Sequence, residues 1–225
     1  MPDDSPSTFN PFASAEITPP VSSHWAAKRE LAQALRELSN TLVTSAPSEE
    51  LLKQASATIS ELNKALANSP RYYGSQEFAN TQEHGSRGEL NYELNAIGGL
   101  SNPLSPGLNM WLEGKLAFGK VKCGYAYEGP PGFVHGGYVA AILDQFLGMA
   151  QIAGGQSGMT GTLHVRYLRP TPLNTDLDLR GSVDRVDGRK TVVTAELLAN
   201  GEVTARSEGL FIRPSNTLKE MFEKD

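Results

Sequence analysis

The sequence predicts an α+β fold in which one long buried helix lies against an antiparallel sheet. Two observations predict it. The run from Val139 to Ala153 is apolar on almost every side and carries one charged residue, Asp144. A helix that is apolar nearly all round is normally buried. Around this run stand six segments with strand-like alternation, and Asp187-Gly188 and Asn200-Gly201 separate the last three. Such dipeptides between alternating runs are strong hairpin signals, so these segments form an antiparallel meander.

The elements follow in order. Residues 1–22 are rich in Pro, Ser and Asp and read as a disordered or loosely attached tail. Residues 23–70 carry two helical patterns. In the first, Trp25, Leu31, Leu35, Leu38 and Leu42 recur at spacings near three and four. Pro47-Ser48-Glu49-Glu50 then signals a new helix start, and Leu51, Leu52, Ala55, Ile59, Leu62 and Leu66 line one side of the second helix. Together they predict an N-terminal αα-hairpin, read as a packing or dimer-supporting appendage. Residues 71–107, with many Gly, Asn and Ser, read as an irregular connecting segment. The main domain is expected over 108–215, followed by a C-terminal tail over 216–225. Its strands are expected at 109–113, 116–127, 160–169, 176–186, 190–199 and 203–213, with the helix after the second. An apolar helix needs cover on most sides, and a curved antiparallel sheet wrapped around it provides that cover.

Composition excludes several function classes. The net charge of −5 over 225 residues argues against a nucleic-acid binder. The lone Cys123 cannot form an intrachain disulfide and suits a reducing compartment, so a cytoplasmic location is expected. The apolar run approaches bilayer length, but Asp144, Gln145, Gln151 and four glycines argue against a membrane span. His24, His84 and His164 lack paired metal-ligand spacing, so no metal is expected.

Three features now combine. They are His135-Gly136-Gly137 with an acid, Asp144, nine positions after the histidine, the strand from Thr160 to Pro170, and Val186-Asp187-Gly188-Arg189-Lys190. Over residues 108–213 the chain resembles the hotdog-fold acyl-CoA thioesterases of the PaaI-like class. The stretch Gly129-Pro130-Pro131-Gly132-Phe133-Val134-His135-Gly136-Gly137 is similar to the branch acting on medium and long acyl-CoAs. The resemblance implies an acyl-CoA substrate with no separate cofactor, and a homodimer or dimer of dimers. It also implies that Thr160 orients water from the neighbouring subunit, that Arg166 contacts substrate, and that nucleotide contacts lie near Arg189 and Lys190. One departure stands out: Gly129 occupies the position where smaller members of the class carry an Asn that polarises the thioester carbonyl.

The residues themselves support a site. Gly136 and Gly137 open the helix, where free N–H groups and the positive dipole end suit an oxyanion. Asp144 is the candidate general base, or alternatively a nucleophile. His135 precedes the helix, where its ring supports the loop beside the substrate. Strict alternation puts Thr160, Thr162, His164 and Arg166 on one strand face, with Leu163, Val165 and Tyr167 on the other. A catalytically silent acyl-CoA-binding module is the alternative reading.

Overall fold

The computed structural model describes residues 12–81 and 86–215. Four helices come first: α1 (Ser23–Thr44), α2 (Glu49–Ala67), α3 (Ser75–Thr81) and α4 (Arg87–Leu94). Then follow β1 (Asn109–Glu113), β2 (Leu116–Lys122), α5 (Gly136–Ala150), β3 (Met159–Tyr167), β4 (Asp176–Asp187), β5 (Lys190–Ala199) and β6 (Glu202–Ile212). The strands form one antiparallel sheet in the order β1-β2-β4-β5-β6-β3, leaving β3 on an edge. With α5 packed on its inner face, this is the hotdog arrangement. The predicted element order of the main domain is the one the chain adopts.

Both meander turns are two-residue loops, but they differ. Asn200 and Gly201 have φ of 50° and 78°, the all-positive turn expected of Asn-Gly. In the other, Asp187 already pairs with Lys190, so the loop is Gly188-Arg189 and only Gly188 has positive φ. This is the glycine-first turn rather than an Asp-Gly turn.

The sheet meets α5 where the strands lack side chains. A Cβ on Gly181 would lie 2.9 Å from the Phe146 ring, and one on Gly119 would lie 3.2 Å from it. One on Gly209 would lie 2.8 Å from the Phe211 ring and 3.1 Å from Leu147. Phe146 and Leu147 are fully buried as a result. The burial of α5 is not all-round, however. Gly137 is exposed, and Ala140, Ala141, Asp144, Gln145 and Gly148 are half-buried. These residues form a stripe of mostly small side chains along one side.

The N-terminal region departs most from expectation. The anticipated loose tail is bound along β1 over its described part. The Phe12 carbonyl accepts from Leu112 N–H (2.9 Å), and Asn109 Nδ2 donates to the Ala15 carbonyl (2.6 Å). Residues 1–11, the expected C-terminal tail 216–225 and His84 lie outside the described residues. The segment 71–107 holds two helices, α3 and α4. Ser86 and Glu89 form a reciprocal capping box that starts α4. Both N-terminal helices are present, but they do not bury each other. α1 docks through Trp25 and Ala32, whereas no residue of α2 is buried. Trp25 therefore belongs to a different face of α1 from Leu38 and Leu42, which are exposed.

A buried ion pair ties α1 to α4. Arg29 donates to both carboxylate oxygens of Glu93, at 2.6 to 3.1 Å, and Glu93 also accepts from the Ser101 hydroxyl at 2.6 Å. Glu93 is 2% exposed. Removing one partner of such a pair leaves a buried charge uncompensated. Arg29→Ala is therefore expected to destabilise the protein by about 3–5 kcal/mol. At roughly 2–4 °C per kcal/mol for a chain of this size, the melting temperature falls by about 6–20 °C in thermal unfolding.

Burial pushes the Cys123 thiol from its ordinary 9.0 to about 12. The folded chain then keeps its proton where the unfolded chain loses it, so stability declines as pH rises from 9 toward 12. At neutral pH a thiol reagent is expected to label Cys123 only after unfolding; rapid labelling of the native protein would contradict this burial.

Candidate active site

The chemistry-bearing residues gather around α5. His135 is its N-cap, and its ring Nδ1 accepts the Gly137 N–H at 3.0 Å. The His135 carbonyl takes the Tyr138 and Val139 N–H groups at 2.9 and 3.2 Å. Among the described residues, only the Gly136 N–H of this first turn has no hydrogen-bond partner. The candidate oxyanion donor therefore narrows from two glycines to Gly136, with His135 acting as its structural support. A Cβ on Gly136 would sit 3.6 Å from the Tyr167 ring, an ordinary contact, so packing within the chain does not demand glycine there. The Tyr167 hydroxyl donates to the Gly136 carbonyl at 2.9 Å and holds the turn from the strand side.

Asp144 lies two turns further along α5, on the half-exposed stripe. Its Oδ1 accepts a hydrogen bond from the Thr160 hydroxyl at 3.1 Å. Oδ2 has no hydrogen-bond partner among the described residues. This contact corrects two expectations. Asp144 and Thr160 meet within one chain, so Thr160 is not borrowed from a neighbour to reach Asp144. Thr160 also does not share a face with His164 and Arg166. The β3–β6 register slips between Thr160 and Thr162, so Gly161 is the extra residue of a β-bulge. Thr160 is thereby turned to the helix side, opposite buried Phe211, together with Leu163 and Val165.

Arg166 stays on the outer face, paired in register with Arg206. There it lines a cavity of about 750 Å³ with Phe118, Arg180, Glu196 and Arg206. The Arg180 and Arg206 guanidiniums hydrogen-bond Glu196 and hold its carboxyl below its ordinary value. Within one chain, Arg166 does not join Asp144 and Thr160. Arg189 and Lys190 sit at the β4–β5 turn. Lys190 pairs with Ile212, which pairs with Met159, so both cations stand at the sheet end that carries Thr160. Arg189 Nε donates to the Arg213 carbonyl at 2.9 Å.

A second cavity, about 360 Å³, opens beside Gly136. Pro130, Phe133, Val134, Val139, Leu168 and Pro170 give it apolar walls. The missing Asn at position 129 has a steric reason here. A Cβ on Gly129 would come 2.7 Å from the His135 Cα, too close for any side chain on this backbone.

The sequence reading missed Gln151, which fixes the site from below. It is 3% exposed. Its Nε2 donates to the Gly148 and Gly158 carbonyls, each at 3.0 Å, and its Oε1 accepts the Gly158 N–H at 2.7 Å. The end of α5 is thus clamped to the chain entering β3, two residues before Thr160. The available signal was a polar side chain inside an otherwise apolar run.

The sequence model of the thioesterase superfamily matches residues 131–205. Acyl-coenzyme A thioesterase THEM4 of Mus musculus is 35% identical over 92 residues, which make up 40% of this chain and 40% of that protein. Acyl-coenzyme A thioesterase THEM5 of Homo sapiens is 27% identical over 88 residues, 38% of this chain and 36% of that protein. The chain thus spans well under half the length of the curated relatives it matches. A crystal structure of a thioesterase superfamily protein superposes with a TM-score of 0.69 at 31% identity, covering 87% of this chain and 97% of that one. That similarity extends well beyond the matched 131–205 segment.

Gln151→Leu removes the clamp and leaves the half-buried Gly158 N–H and carbonyl without their partner. A fully buried unsatisfied group costs about 1–3 kcal/mol, so for these half-buried ones a loss of about 1–2 kcal/mol is expected in denaturant unfolding. Amide exchange at residues 158–160 is expected to accelerate along with it.

Proposed function

This chain belongs to the thioesterase superfamily, and on that premise we propose that it hydrolyses medium- or long-chain acyl-CoA to free acid and CoA. The observation that carries the reading is the Asp144–Thr160 hydrogen bond on the open stripe of α5. It engages Oδ1 through the threonine hydroxyl and leaves Oδ2 for a water molecule. In the proposed reaction Oδ2 takes a proton from that water as its oxygen adds to the thioester carbonyl. The oxyanion forms against a backbone N–H, the C–S bond breaks, and the departing thiolate of CoA takes up the proton.

One chain does not supply all these groups to one carbonyl. Gly136 and Asp144 are eight residues apart on α5, about 12 Å along the axis. The edge strand β3 offers the way to join them. Its outward backbone groups are paired by no other strand among the described residues. Antiparallel pairing of β3 with the same strand of a second copy, centred near Leu163, brings Thr160 opposite the Arg166–Tyr167 end of the other chain. Because Tyr167 holds the Gly136 turn, Asp144 and Thr160 of one copy then face Gly136 of the partner subunit. We propose this homodimer as the active form. The apolar cavity beside Gly136 suits the acyl or pantetheine portion, and Arg189 and Lys190 suit the phosphates of the nucleotide.

Release of free thiol from a panel of acyl-CoAs, acetyl to palmitoyl, tests the reading. Turnover is expected, and Asp144→Asn is expected to lower kcat by about 10²–10⁴ with binding retained. A variant with full turnover would remove Asp144 from the chemistry. Measurable acyl-CoA binding with no thiol release from any substrate would identify a silent binding module instead. Single turnover in labelled water tests the nucleophile reading: label in the Asp144 carboxylate would mark an anhydride hydrolysed at the aspartyl carbonyl, and none is expected of a base.

A further inference from the structure

The N-terminal helices present two apolar stripes that match each other and are not closed together in the chain. α1 is held to the body by one face. That face carries Trp25, Arg29, Ala32, Arg36 and Asn40, with Arg36 donating to the Asn102 carbonyl at 3.0 Å and Asn40 Oδ1 accepting the Tyr125 N–H at 2.8 Å. About 130° around the helix runs a second stripe, Leu31, Leu35, Leu38 and Leu42. Leu31 and Leu35 are half-buried, and Leu38 and Leu42 are 42% and 56% exposed. On α2 the stripe is Leu52, Ala55, Ile59, Leu62 and Leu66, all exposed. Its spacing of three, four, three and four is a two-heptad seam.

The two stripes are complementary in register. Reading α1 forward from Leu31 gives steps of four, three and four. Reading α2 backward from Leu66 gives the same steps. Antiparallel packing therefore stacks Leu31 on Leu66, Leu35 on Leu62, Leu38 on Ile59 and Leu42 on Ala55 without a misfit. Yet the linker does not fold α2 back. Ser45 and Ser48 are extended, with ψ of 160° and 153°, and Pro47 disfavours the helical region at Ala46 between them.

The polar side of α2 indicates which occupant fits. It holds three acids, Glu49, Glu50 and Glu61, against Lys53 and Lys64. Both lysines are paired within the helix, to Glu49 and Glu61. A helix that lies on a lipid surface is instead rich in unpaired basic residues on that side. The residues flanking the seam, Ser56, Thr58, Asn63 and Ala65, are uncharged and mostly small, so they permit close approach and set no charge code for a foreign partner. Exchange of an identical element between copies is a low-cost way to satisfy such a stripe.

We infer that α2 packs on α1 of a second copy of this chain, and reciprocally, so that two copies exchange their α2 helices in an antiparallel four-helix arrangement. This inference is independent of the proposed activity.

The test uses the full-length chain with its buried Cys123 left in place. Leu38→Cys and Ile59→Cys are made separately, co-expressed under different tags, and treated with a short bis-maleimide. A covalent heterodimer carrying both tags is expected, with at least a fivefold lower yield when either variant is expressed alone. The double variant in one chain is expected to run as a linked dimer on a denaturing gel. Linkage only within a single chain would overturn the exchange in favour of a closed hairpin. No linkage at all would overturn it as well, and sedimentation of the unlinked protein with anionic phosphatidylserine vesicles would then assign the stripe to lipid.

Discussion

The depth at which Phe146 sinks into the sheet governs the rest of this fold. Its ring rests on strands that carry glycine at positions 119 and 181, where a single added carbon would collide with it. Backbone and aromatic ring are thus in direct contact, and α5 is drawn closer to the strands than ordinary side chains would allow. Gly209 does the same for Leu147 and Phe211 on β6. Once the helix lies at this depth, the half-turn that cannot be covered is fixed too. It is the stripe that carries Asp144, and its small residues keep the approach to the carboxylate open.

The site inherits its geometry from two local irregularities rather than from regular structure. The bulge at Gly161 turns Thr160 inward, and the Gln151 clamp sets where β3 begins relative to the end of α5. A regular β3 would leave Asp144 facing a glycine and send the threonine hydroxyl to the far face with His164. The other half of the chemistry, the N–H of Gly136, is held by a separate set of contacts: the His135 ring on Gly137 and the Tyr167 hydroxyl on the Gly136 carbonyl. Within one chain each half is held by its own contacts, about 12 Å apart along the helix, and the proposed dimer is what brings one copy's half to the other's.

Much of this was legible in the sequence where a periodic pattern met clear punctuation. The apolar run, the strands of the meander and the candidate residues Asp144 and Gly136 all emerged from spacing or from resemblance. What escaped detection was non-periodic. Alternation assigns faces by counting, and one inserted residue at Gly161 inverts the count for Thr160. Helical spacing grouped Trp25 with Leu31 to Leu42, although docking and exposed stripes share one helix and only tertiary contacts divide them. The capping box of Ser86 and Glu89 was readable, but α4 is short and its neighbours lack the apolar rhythm that draws attention. The Pro- and Ser-rich residues from 12 onward looked unstructured because what they offer β1 is their own backbone carbonyls, taken by Leu112 N–H and the Asn109 side chain, which composition does not register.

Gly129 shows how far a single position can be committed by its surroundings. With the His135 backbone 2.7 Å from where its Cβ would be, the position admits no side chain at all. The Asn that the resemblance to smaller members of the class would place here therefore takes more than a single substitution. Reaching it requires the loop ahead of α5 to be rebuilt first, and that loop is anchored to α1 through Asn40 and Tyr125. The N-terminal helix and the loop that would have to make room for a side chain at 129 are thus mechanically joined: moving the one pulls on the other.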